Sequence, residues 1–273
     1  MPQARFILLA ACLALLPCLR VTAEELRVVS LNPSLTATLQ ALGLSEQLVG
    51  IDDWSARTSP ELAALPRVGG LFNPSLESIV SLEPELVVLV PSAQQRDLRG
   101  RLESLGIEVL SLANESFDEL LRSIEVLGER LGRQDAARKR AEAIRAAFRE
   151  PAHDAARGRA VLVIQRDPLY VAGGGSYLDR MLTASGVRNI ATEFDDAYPR
   201  VGVEWLIAAA PEIILDASEN VGPAQQHWSR FPSLPAVKQG RVIEIEAALM
   251  TMPGPHIDRA LARLRALLAE GAP

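Results

Sequence analysis

Leu76-Glu77-Ser78-Ile79 runs on to Pro84-Glu85-Leu86-Val87, and Val203-Glu204-Trp205-Leu206 runs on to Pro211-Glu212-Ile213-Ile214. In both stretches a Glu stands seven residues ahead of a Pro, and an apolar run follows. Each reads as a short helix, a break and a strand, because proline cannot continue the helix and the branched apolar residues favour an extended chain. A second echo follows in each half: Leu105-Gly106-Ile107-Glu108-Val109 beside Gln239-Gly240-Arg241-Val242-Ile243. Two matching units in the same order predict two lobes of related topology.

The flanking sequence fits that reading. Apolar runs at Leu26–Leu31, Leu48–Ile51, Leu86–Val90, Glu108–Leu112, Ala160–Gln165, Glu212–Asp216 and Arg241–Ile245 are expected strands. Most are continuous and bounded by Gly, Pro or Asn, as in parallel strands covered on both faces. Helical patterns lie between them, at Ser75–Leu82, Leu98–Leu105, Ser176–Ser185 and Val203–Ala210. The middle differs. Ser116-Phe117-Asp118-Glu119 is a capping-box pattern, followed by Phe117, Leu120, Leu121, Ile124, Leu127 and Leu131 at helical spacing. After a break at Gly132, Gln134 to Arg149 has high helix propensity but a thin apolar stripe of Ala137, Ala141, Ile144 and Phe148. The fold class is α/β, with two lobes joined by a helical strut. The expected division is 24–115, a helical segment over 116–157, and 158–273.

Residues 1–23 read as an export leader rather than as fold. Arg5 precedes an apolar run from Phe6 to Leu19, and Val21-Thr22-Ala23 offers small residues before a cut. That run is shorter than the roughly 20 residues a membrane-spanning helix needs. Cleavage removes two arginines and no acid, taking the net charge from −6 to −8. Both cysteines, Cys12 and Cys18, lie in the leader. Leu9-Ala10-Ala11-Cys12 also matches a lipoprotein box, so a lipid anchor on Cys12 is the alternative to a cleaved leader. In either form the protein is exported.

Composition narrows the function. The net charge of −6 and a lysine set of Lys139 and Lys238 alone argue against binding nucleic acid through a basic surface. No Gly-x-Ser-x-Gly is present, and the mature chain has no thiol. His153, His227 and His256 are widely separated and lack metal-ligand spacing. No resident cofactor or metal is therefore expected, and catalysis is not. Gly173-Gly174-Gly175 ahead of Ser176 is either an anion cradle or a flexible turn. Asn32-Pro33-Ser34 reads as a helix N-cap. Glu77 and Glu204 fall in the first turns of their helices, where a carboxylate complements the dipole. In two related lobes they would form symmetric knobs able to engage arginines on a symmetric partner.

Further residues carry a family resemblance. They are Arg27-Val28-Val29-Ser30-Leu31-Asn32-Pro33-Ser34, Val68-Gly69-Gly70, Ala172-Gly173-Gly174-Gly175-Ser176-Tyr177-Leu178, Gly186-Val187-Arg188-Asn189-Ile190, Leu234-Pro235-Ala236-Val237 and Pro253-Gly254-Pro255. With the repeats above, in this order, the chain resembles the helical-backbone periplasmic substrate-binding proteins of ABC importers for cobalamin, haem and ferric siderophores. The resemblance implies two Rossmann-like lobes, one long backbone helix, a ligand cleft between the lobes and little hinge motion. It also implies that Glu77 and Glu204 dock on a permease dimer served by ATPase subunits, and that the protein is monomeric. The cobalamin branch is the nearest pattern, and it implies cleft aromatics at Trp54, Phe72, Tyr170 and Tyr198. That branch has a further cleft tryptophan where this chain has Val90-Pro91, and haem binders have a tyrosine segment where it has Gly69-Gly70-Leu71-Phe72. Siderophore binders favour cleft arginines, for which Arg166 and Arg200 are the candidates. A chelatase on a similar bilobed fold is the enzymatic alternative.

Overall fold

The computed structural model describes residues 26–91, 96–149, 158–219, 222–247, 250 and 252–270. The leader with Cys12 and Cys18, as well as His153, lies outside the described residues. The first half comprises β1 (Val28–Ser30), α1 (Pro33–Ala41), β2 (Leu48–Ile51), α2 (Asp53–Thr58), β3 (Gly69–Gly70), β4 (Asn73–Pro74), α3 (Leu76–Val80), β5 (Leu86–Leu89), α4 (Arg96–Ser104) and β6 (Glu108–Ser111). Then come α5 (Phe117–Arg130) and α6 (Gln134–Arg149). The second half comprises β7 (Arg159–Arg166), β8 (Leu169–Val171), α7 (Tyr177–Ala184), β9 (Arg188–Asn189), α8 (Val203–Ala209), β10 (Ile213–Asp216), α9 (Ala224–Trp228), α10 (Pro235–Lys238), β11 (Val242–Glu244) and α11 (Ile257–Glu270).

The two sheets carry the same strand order. In the first, β2-β1-β5-β6 are all parallel. In the second, β9-β7-β10-β11 are parallel in the matching order, and β8 adds an antiparallel strand beside the end of β7. The central strands of both sheets are buried on each face, as their continuous apolar runs require.

The correspondence reaches single residues. Glu77 and Glu204 are each the second residue of their helix. Six residues later, Glu83 and Ala210 both adopt φ of 47°, an unusual left-handed conformation for residues other than glycine. The backbone amides of Arg27 and Arg159, at the entrances to β1 and β7, donate to the carboxylates of Glu85 and Glu212 at 3.0 and 2.9 Å.

The bridge is a helical hairpin. Its capping box forms as the pattern requires: Ser116 Oγ accepts from the Glu119 amide at 3.2 Å, and Glu119 returns a carboxylate to the Ser116 amide at 2.9 Å. Gly132 turns the chain with φ of 68°. Gly128 lets α6 approach, since a side chain there would collide with Ala137. The long connection of the sequence reading is thus two packed helices, with α6 of 16 residues, about 24 Å long, as the bridging member. Its thin stripe of Ala137, Ala141, Ile144 and Phe148 is buried against α5, α7 and α11. Phe148 meets Phe117 with ring centroids 4.6 Å apart.

One apolar cluster runs from Val28 and Leu86 in the first sheet, through Ile124 and Ile144, to Leu162 and Ile213 in the second. A continuous close-packed core resists large rigid-body motion between the lobes. Among the described residues no helix is long and apolar enough to cross a membrane.

Candidate functional site

In open parallel sheets, ligands bind beyond the carboxyl ends of the strands. The loops at those ends meet between the two lobes. Beyond β2, the buried Asp52 caps α2 by accepting from the amides of Trp54 and Ser55 at 2.8 and 3.0 Å. Its carboxylate also takes the Ser55 hydroxyl, and Ser55 continues through Thr36 to Ser30 in contacts of 2.8 Å each. A fully buried polar network with every member partnered fixes its element in place. Here that element is α2, and it presents Trp54.

Trp54 is 36% exposed. Its indole N–H points to the Met252 sulfur at 3.4 Å, and the Arg57 guanidinium lies 4.8 Å over its ring. α2 packs on β3, and the two-residue turn joining β3 to β4 carries Phe72, 70% exposed. Trp54 and Phe72 are the two aromatics among the exposed large hydrophobic side chains of the described residues. In the second lobe Tyr170 on β8 pairs through the backbone with the exposed Arg200.

Tyr198 is less open. It packs against the core at the seam, close to Tyr177. Tyr177 donates its own proton to the Met250 carbonyl at 2.6 Å. The Tyr177 amide in turn donates to the Glu115 carbonyl of the first lobe at 2.9 Å. Burial pushes both phenols up from their ordinary value of 10, with the neighbouring tyrosine adding for Tyr177 and the Glu115 charge for Tyr198. The unfolded chain therefore loses these protons first as the pH rises. Stability should be flat through neutrality and fall above pH about 10, by about 1.4 kcal/mol per pH unit for each tyrosine. Denaturant midpoints followed from neutral to alkaline pH check this, and Tyr198→Phe should reduce the slope.

One sequence expectation changes here, and one alternative closes. Arg166 does not join the rim. It is buried in the second lobe, where its Nε donates to Asp216 Oδ2 at 2.9 Å and an Nη donates to the Gly222 carbonyl at 2.9 Å. Asp216 also accepts from Trp228 Nε1 at 2.6 Å, so the charge of Arg166 is matched inside the lobe. Of the two readings of the glycine run, the turn ahead of α7 is the one that holds, and the anion cradle is not. The amides of Gly173 and Gly174 already donate to the Ala197 and Phe194 carbonyls, and a side chain at either would collide with the 192–199 loop. Asn32 does cap α1, accepting from the Ser34 amide at 2.9 Å.

Of the histidines, His227 contacts Arg230 and the Trp228 edge, while His256 lies beside Arg259, Arg140 and Asp258. Burial first, then adjacent arginines, lower both below the ordinary imidazole value. Among the described residues no group of three His, Cys, Asp or Glu is arranged to hold a metal ion. A cavity of about 180 Å³ lies at the seam, between the start of α1, Tyr177 and the 252–260 segment. It is too small for a drug-sized ligand, whose pockets run from about 300 to 1,000 Å³. Arg57 and Met252 were not foreseen: Arg57 is signalled only by standing three residues after Trp54 on one helix, and Met252 by nothing local.

Two lobes of one topology and a packed helical bridge define a two-lobed α/β architecture. The chain belongs to the periplasmic binding protein family, whose model matches residues 28–249. It has the helical-backbone, class III form of that fold. The substrate-binding lipoprotein YvrC of Bacillus subtilis, an uncharacterized ABC transporter component, is 26% identical over 245 residues, 86% of this chain and 77% of that one. The vitamin B12-binding protein of Vibrio cholerae is 22% identical over 233 residues, 84% of each chain. Among solved structures, the apo periplasmic heme-binding protein RhuT from Roseiflexus sp. RS-1 matches with a TM-score of 0.75 at 25% identity, covering 91% of this chain and 100% of that one.

Proposed function

We propose that this protein is the exported binding component of an ABC importer, and that it captures cobalamin or a related corrinoid in the interlobe cleft. It carries the ligand to a permease dimer with its ATPase subunits and works by binding rather than catalysis. The observation behind this reading is the exposure of Trp54 and Phe72 on packed neighbouring elements, with Met252 against the Trp54 indole. A flat macrocycle gains most from such aromatic faces, with a few polar groups fixing its orientation. Tyr170, Tyr198 and Arg200 serve as the second lobe's contribution, and Glu77 and Glu204 as the docking pair. The working division is a leader over 1–23, lobes over 24–115 and 158–273, and the bridge over 116–157. The mature protein is monomeric and periplasmic, with a membrane anchor through Cys12 as the alternative.

A second reading rests on Arg57. A guanidinium stacked on the rim tryptophan, together with the exposed Arg200, would favour a ferric chelate or haem bearing acidic groups. Tryptophan emission separates the two. Cyanocobalamin should quench the wild-type signal, and Trp54→Ala should weaken its binding by about tenfold. Equal affinity in the variant would remove Trp54 from the site. Quenching by haemin or a ferric catecholate alone would transfer the assignment to the second reading.

A further inference from the structure

The lobes differ in most side chains around α3 and α8, yet they share one set of fastenings. Arg27 donates from Nη2 to the Leu82 carbonyl at 2.6 Å and from Nε to the Glu83 carbonyl at 3.1 Å, gripping the end of the chain that leaves α3. Arg159 donates from Nη2 to the Ala209 carbonyl at the end of α8. Leu82 and Ala209 each lie five residues beyond the lobe-tip glutamate. Beside each clamp stand a left-handed residue that is not glycine, a proline, and a glutamate holding the arginine's own amide. Helix ends leave carbonyls without intrahelical partners, and a guanidinium there satisfies them while complementing the dipole. Its planar fork also fixes direction, which a single ammonium does not.

The anchor point matters as much as the bond. Arg27 enters β1 and Arg159 begins β7, and these strands are internal to their sheets. Each short, exposed helix is thereby tied to the rigid centre of its lobe. We propose that Arg27 and Arg159 are matched positioning residues that fix the spacing and direction of Glu77 and Glu204. The meaning of that spacing for a two-fold partner rests on the docking reading above. The spacing itself does not.

The test is a distance distribution. Glu77→Cys and Glu204→Cys are introduced into residues 24–273, which contain no other cysteine, and both are spin-labelled. One narrow distribution is expected. With Arg27→Gln and Arg159→Gln added it should broaden roughly twofold, as local restraint is lost without global unfolding. Each single Arg→Gln change should give part of the broadening, which keeps the test open if the double variant folds poorly. Arg27→Lys with Arg159→Lys should recover part of the sharpness. A width unchanged in the single variants, even with a lowered melting temperature, would make the clamps ordinary stabilising contacts and overturn the proposal. If uptake survived charge reversal at Glu77 and Glu204, docking would fail while the distance measurement still judged the clamps.

Discussion

Asp216→Ala should destabilise the protein by about 3–5 kcal/mol, because it leaves the Arg166 charge buried without its carboxylate. Three donors converge on Asp216: Arg166 Nε, Trp228 Nε1 and the Ser218 amide. Both side chains of the ion pair are almost wholly shielded from water, at 2% and 0% exposure. Solvent screening, which makes surface pairs worth little, does not operate there. Native domains are stable by only about 5–15 kcal/mol, so the loss would be a large fraction of the whole. Denaturant titration measures it directly. Arg166→Met combined with Asp216→Leu should be far milder than Asp216→Ala alone, since apolar replacement of both partners removes the unpaired charge. A drop below about 1 kcal/mol for Asp216→Ala, the range of an exposed pair, would contradict the burial described.

Reversing both lobe-tip charges, Glu77→Arg with Glu204→Arg, should abolish uptake while leaving ligand affinity intact. Both residues are exposed on the first turns of their helices. Opposing like charges at an interface cost several kcal/mol, so transport should fall on the order of a hundredfold. The assay is uptake of labelled ligand by cells carrying only the variant, alongside titration of the purified protein. Normal uptake would remove these residues from docking. Reduced ligand affinity would place their effect in the cleft.

What the sequence could and could not convey follows from the range of the interactions involved. Gln134–Arg149 was legible to the residue, and so was Leu48–Ile51, because helix periodicity and a bounded apolar run are local signals. The repeat was legible for the same reason: its Glu, Pro and apolar run lie within a dozen residues. β9 was missed. It is two residues long, Arg188–Asn189, and exists only because it pairs with the start of β7. β8 was missed likewise, since Leu169-Tyr170-Val171 is too short to carry a pattern. At the site, the family resemblance pointed to Trp54 and Phe72, and both are exposed. Arg166 misled because its partner, Asp216, is 50 positions away and the burial of both is set by tertiary packing. The glycine run left a cradle open beside a turn because the loop that claims its amides lies some 20 residues downstream.

Calorimetric titration of residues 24–273 with cyanocobalamin, alongside cobinamide, haemin and a ferric catecholate, tests the central claim most directly. One-to-one binding of a corrinoid at micromolar affinity or tighter, weakened by Trp54→Ala, is the predicted result. Heat from haemin or the ferric chelate alone would retain the cleft and replace the ligand. No binding of any of the four would contradict the claim that this cleft captures a metal-bearing macrocycle or chelate.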